Sequence, residues 1–144
     1  MKTWILVADS ARARVFEVGA KDGLLFEVGG YANPEAHSKP SDIGRDKPPR
    51  AQESASPARH ALEPHTDPHD KPALKFAHGL AEILEQGRVE HSYGRLVLAA
   101  PPRFLGQLNQ ALGQQVSKLV AKTISKDYSR ASSSEISAML DAHD

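Results

Sequence analysis

The stretch "RLVLAA", Arg95 to Ala100, is one charged residue followed by five apolar ones, and Pro101 and Pro102 close it off. A half-wet strand or an amphipathic helix would show polar residues at regular intervals, and this run shows none. A continuous apolar run of strand length, bounded by prolines, is the mark of a central strand covered on both faces. Such strands sit in sheets with helices packed on them, so this run places the chain in the α/β class with a mixed sheet.

Working outward towards the N-terminus, three short runs rich in β-formers precede it. "TWILVAD" (Thr3 to Asp9) reads as a buried first strand, followed by "RVFEV" (Arg14 to Val18) and "LLFEVGGY" (Leu24 to Tyr31). Short β-runs joined by the Gly-bearing turn "GAKDG" imply a three-stranded antiparallel meander, an α+β-like start to the fold.

Helical spacing flanks the central run. Ala73, Phe76, Ala77, Leu80, Ala81 and Leu84 recur at i, i+3, i+4 and i+7, with Asp70 as N-cap, Pro72 in the first turn and Gly87 as C-cap. Gly79 inside that helix costs about 1 kcal/mol against Ala, so the helix depends on packing. A second helix starts near Arg103 and buries Phe104, Leu105, Leu108 and Leu112. "VSKLVAKTI" (Val116 to Ile124) reads as a strand over Leu119 to Ser125 or as a helix. "SSSE" sets Ser132 as N-cap and Glu135 at N3, a capping box ahead of Ile136, Met139 and Leu140. The order is βββ–(long loop)–αβαβα, with a right-handed βαβ crossover late in the chain.

Between Asn33 and Pro72 the only bulky aliphatics are Ile43 and Leu62, and eight of the ten prolines lie there. Such a segment cannot offset its ordering entropy by burial. The chain therefore reads as a single domain, residues 1–144, with a long mobile Pro-rich loop at about 33–70.

Composition removes several function classes. Eighteen Lys and Arg balance eighteen Asp and Glu, so no global field recruits nucleic acid or an acidic membrane. The absence of cysteine excludes disulfides, thiolate-bound zinc and thiol nucleophiles. One Lys and five apolar residues before Asp9 are too short for a signal-peptide core, and no run approaches a membrane span. The expectation is a cytoplasmic protein without membrane insertion. No motif implies a cofactor or an oligomeric state.

Three blocks, "WILVADSARARVFEV", "RLVLAAPPRFLGQL" and "ISKDYS", in that order around a Pro-rich loop, resemble the bacterial host-attachment protein family. That family is similar at fold level to the central domain of archaeal and eukaryotic peptide-chain release factors and of Pelota. The resemblance implies a ribonuclease-H-like mixed sheet and a translation-linked role, with the ribosome, tRNA or rRNA as partner. The family name implies adhesion, for which this chain shows no export signal, lipidation motif or anchor. The release-factor tripeptide Gly-Gly-Gln is also missing: "SDIGRDKPPRAQES" holds Gly44 and Gln52 apart. Release chemistry is not carried over, and the chain reads as a non-enzymatic RNA- or ribosome-associated module. The alternative is a protein-interaction factor tied indirectly to attachment.

Three candidate sites follow. Arg12, Arg14, Arg45, Lys47, Arg50 and Arg59 are the RNA-binding candidates, since a flexible Pro-rich arm bearing arginines can fold onto phosphates. Lys118, Lys122 and Lys126 recur around the last strand. In "EPHTDPHDK", the residues His65, Asp67 and His69 share one face of an extended chain and carry zinc- or manganese-type ligands. The preferred reading is a polar lead into the helix at Asp70. Asp9, at the end of the first strand, invites a metal-dependent nuclease reading, which needs converging carboxylates such as Glu17 and Glu27. Both glutamates stand at solvent-facing positions, and an Asp in a turn is the simpler account.

Overall fold

In the computed structural model, which describes residues 2–19, 23–37 and 70–142, strand β1 (Thr3–Ala8) is the centre of the sheet. Strand β2 (Arg12–Val18) pairs antiparallel with it from Thr3↔Val18 to Ala8↔Ala13. Strand β3 (Leu25–Ala32) pairs antiparallel with β2, completing the meander. On the other side, β4 (Arg95–Ala99) runs parallel to β1, and β5 (Val120–Ile124) runs parallel to β4. The order is β3-β2-β1-β4-β5, with β2 alone opposing the rest, which is a ribonuclease-H-like arrangement.

The apolar run at Arg95 is what the two-sided reading requires. Leu96 and Leu98 enter one core and Val97 and Ala99 the other, none more than 2% exposed. Helix α1 (Asp70–Val89) covers the first face with the expected stripe of Ala73, Ala77, Leu80, Ala81 and Leu84. Helices α2 (Pro102–Ala111) and α3 (Gln114–Leu119) extend that cover, burying Phe104, Leu105, Leu108 and Val116. Helix α4 (Ser133–Ala142) covers the second face with Ile136 and Met139. Its capping box forms: the Ser132 N–H donates to Glu135 Oε1 at 2.8 Å, and the Glu135 N–H donates to Ser132 Oγ at 3.1 Å. The bond from the Ser132 N–H, and after it the Ser132 hydroxyl, hold the Glu135 carboxyl below its ordinary pKa.

Three expectations change. Gly87 is not the C-cap, because α1 continues to Val89 and His91 takes the left-handed conformation with φ 59°. The Ser92 N–H reaches Gly87 O at 2.8 Å and the His91 N–H reaches Arg88 O at 3.0 Å, a Schellman closure. The strand expected over Leu119 to Ser125 forms as Val120–Ile124, paired with β4, but the residues just before it, Gln114–Leu119, are an additional short helix. The segment expected to be loop from Asn33 begins with a 3-10 turn, Pro34–His37, behind a buried Asn33.

Candidate functional site

Strands β1, β4 and β5 all end on one side of the sheet, the side where open α/β sheets place their ligands. Two segments rich in polar groups meet there. One is the turn after β1, and the other is the connection from β5 to α4.

Asp9 organises the first. Its Oδ1 accepts the N–H groups of Ala11 at 2.8 Å and Arg12 at 2.9 Å, while its own N–H donates to Arg12 O at 2.8 Å. This is the Asx-turn by which an Asp replaces missing backbone partners. The Arg12 guanidinium closes on Asp9 Oδ2 at 2.8 Å. Asn33 braces the turn from outside, its amide donating to Ser10 O at 2.9 Å and Pro72 O at 3.1 Å. Those bonds tie the turn to the first turn of α1.

Ser129 joins the second segment to the first. Only 1% exposed, its hydroxyl lies 2.6 Å from Asp127 Oδ1 and 3.1 Å from Asp9 Oδ2. A hydroxyl has one proton, so the shorter contact is the donated bond and the Asp9 contact is the weaker of the two. Asp127 Oδ1 also accepts the Ser129 N–H at 2.8 Å. Arg14 clamps the same segment to the sheet: its Nη1 donates to Ala131 O, its Nε and Nη2 grip Glu27 at 3.2 and 3.0 Å, and its guanidinium lies 4.8 Å over the Phe16 ring. The Arg14 hydrogen bonds hold Glu27 below its ordinary pKa.

Chemically this network is closed. A serine nucleophile needs a substrate against Oγ, and Ser129 is too buried to receive one. The carboxylates do not converge as a nuclease requires. Glu17 lies on the opposite face from Glu27, accepting from Trp4 Nε1 at 3.1 Å and pairing with Lys2 at 3.5 Å. Among the described residues no group of three or more His, Asp or Glu side chains could hold a metal ion.

Of the six RNA-binding candidates, Arg12 and Arg14 come together here, with internal partners. Arg45, Lys47, Arg50 and Arg59 lie outside the described residues, as do His65, Asp67 and His69. Asp70, expected as a cap, is the first residue of α1 and bonds Arg103 of α2. Asp127 and Ser129 went unassigned, although the Asp-x-Ser signal of a side-chain-capped turn stands in "ISKDYS". Among the described residues no helix is long and apolar enough to cross a membrane.

A crystal structure of the Aquifex aeolicus Ppx/GppA phosphatase, type II variant, is similar to this chain with a TM-score of 0.40 and 16% identity. The match covers 86% of this chain and 35% of that one, so this chain spans well under half of the phosphatase. No curated protein matches. A family model described as "Protein required for attachment to host cells" matches residues 4–140, and the chain belongs to that family.

Proposed function

We propose that this protein serves attachment as a non-enzymatic interaction module that receives an extended segment of a partner protein along the outer edge of β3. The observation that carries this is the contrast between the two edges of the sheet. At β3, Phe26 is 53% and Val28 48% exposed, and among the described residues no strand pairs with the outer side. The only charge on β3, Glu27, is neutralised by Arg14. A bulge at Val15/Phe16 pairs Val15 with Gly29 and Phe16 with Glu27, leaving Val28 with no residue opposite. At β5, by contrast, Lys118, Lys122 and Lys126 bracket or sit on the strand. Lysines on an edge discourage strand addition, whereas a long apolar edge invites it.

RNA is the competing partner class. The resemblance to release factors read from the sequence favours it, and the lysines around β5 would be its surface. Arg14 does not add to it, since Glu27 and Ala131 already take donors from its Nε, Nη1 and Nη2, and the Arg12 charge is paired with Asp9.

The test is a strain whose only copy carries Phe26→Lys and Val28→Lys. It should attach to host cells as poorly as a strain lacking the protein, with normal protein level and unfolding temperature. Undiminished attachment would overturn the β3 reading.

A further inference from the structure

At the opposite end of the sheet from the Asp9 network, the second face is only partly covered. Strand register sets Leu25, Val18, Thr3 and Arg95 side by side across β3, β2, β1 and β4. The next row inward ends with Val97 beside Lys122. Helix α4 has ten residues, about 15 Å of length, and its last turn forms one wall beside these rows rather than a lid over them. A cleft of about 350 Å³ remains between them.

The lining is graded. One end is apolar, floored by Val18 and Leu25 with Leu140 in the wall; the other carries the Arg95 guanidinium and the Lys122 ammonium. Arg95 has no ion-pair partner among the described residues. Asp141 is the single acid in the lining, so the cleft has a net charge of about +1. The size is at the lower end of small-molecule sites, which combine apolar walls with a few oriented polar groups.

We propose that this cleft binds a small soluble carboxylate with an apolar tail, the tail lying over Val18 and Leu25 and the carboxylate between Arg95 and Lys122. Arg95 offers the planar fork that accepts a carboxylate bidentately, and Lys122 adds a point charge. Asp141 opposes an anion and limits the affinity. The cleft shares Leu25 with β3 but not Phe26 or Val28, the side chains on which the partner reading rests.

The experiment is titration of the full chain with sodium octanoate, followed by calorimetry and by methyl resonances of Val18, Leu25 and Leu140. Octanoate should shift those methyls, while acetate and octylamine should not. Arg95→Ala should weaken octanoate about tenfold with the unfolding temperature unchanged, and Lys122→Ala should weaken it about as much. Arg95→Lys keeps the charge and loses the fork, so it should weaken octanoate, though less than Arg95→Ala does, and Asp141→Asn should raise the affinity. Phosphatidylglycerol vesicles should not displace octanoate, because the cleft is too small for a diacyl lipid. Equal affinity in Arg95→Ala, shifts located elsewhere, or displacement by vesicles would each overturn the proposal.

Discussion

A β-carbon at Gly87 would lie 2.8 Å from two ring carbons of Trp4. The last turns of α1 therefore rest directly on the indole, with no side chain between helix backbone and ring. Trp4 is held in that slot from two sides, stacked on Tyr93 at 4.8 Å between centroids and donating to Glu17 at 3.1 Å. The same β-carbon would come 3.1 Å from the Tyr93 ring.

Two glycines of α1 should consequently respond in opposite directions to alanine. In a helix interior Gly→Ala gains about 0.5–1 kcal/mol. Gly79 has nothing within 4 Å of its would-be β-carbon, so Gly79→Ala should stabilise by about that amount. At Gly87 the clash with a ring held by Tyr93 on one face and by Glu17 at its N–H edge, on the scale of overpacking at about 1–3 kcal/mol, outweighs the gain. Urea unfolding followed by Trp4 fluorescence measures both, and Trp4 is the only tryptophan. A stable Gly87→Ala protein would show that the slot yields.

Tyr93 should give stability an alkaline limb. Burial, followed by the nearby Glu85 charge, pushes its phenol from 10.0 up to about 12, and its hydroxyl donates to Leu84 O at 2.7 Å. The folded state holds the proton more tightly than the unfolded chain, so this contribution is whole below pH 10. It is lost as pH rises from about 10 towards 12. Tyr93→Phe keeps the ring against Trp4 and removes the hydroxyl. It should cost about 0.5–1.5 kcal/mol near neutrality and flatten the decline above pH 10. An unchanged slope would assign that decline to other groups.

Ser129 should prove structural. Ser129→Ala removes the hydroxyl donor to Asp127, which keeps the Ser129 N–H, at a cost of about 0.5–1.5 kcal/mol. Attachment by a strain carrying it should fall only as far as the folded population falls. Abolished attachment with an unchanged unfolding temperature would instead mark Ser129 as a working group.

Ribosome co-sedimentation distinguishes the partner classes. With the β3 edge as the contact, neutralising Arg45, Lys47, Arg50 and Arg59 together should leave attachment intact. No steeply salt-sensitive ribosome binding should be seen. Binding that weakens by orders of magnitude between low and high salt, and that the neutralised variant loses, would favour RNA, because phosphate contacts release counterions.

The amino-acid sequence by itself determined the parts of this fold that rest on neighbours within a few residues. The apolar run at Arg95 could only be a strand covered twice, the meander followed from short β-runs and turns, and Ser132 with Glu135 spelled out the start of α4. Each of these is a periodicity or a capping pattern, so local propensity and burial agree. The tertiary structure decided the rest. In the sequence Gly79 reads as a helix-interior glycine and Gly87 as a C-cap, and only the approach of Trp4, 83 residues before Gly87, shows that Gly87 is a packing slot and Gly79 an open helix surface. Arg14 looks like a surface cation until β3 brings Glu27 and the segment after β5 brings Ala131, 117 residues away. Ser129 meets Asp9 across 120 residues. Contacts of that range leave no periodic trace, since their energy depends on which elements the sheet sets side by side and not on the spacing of residues within any one of them.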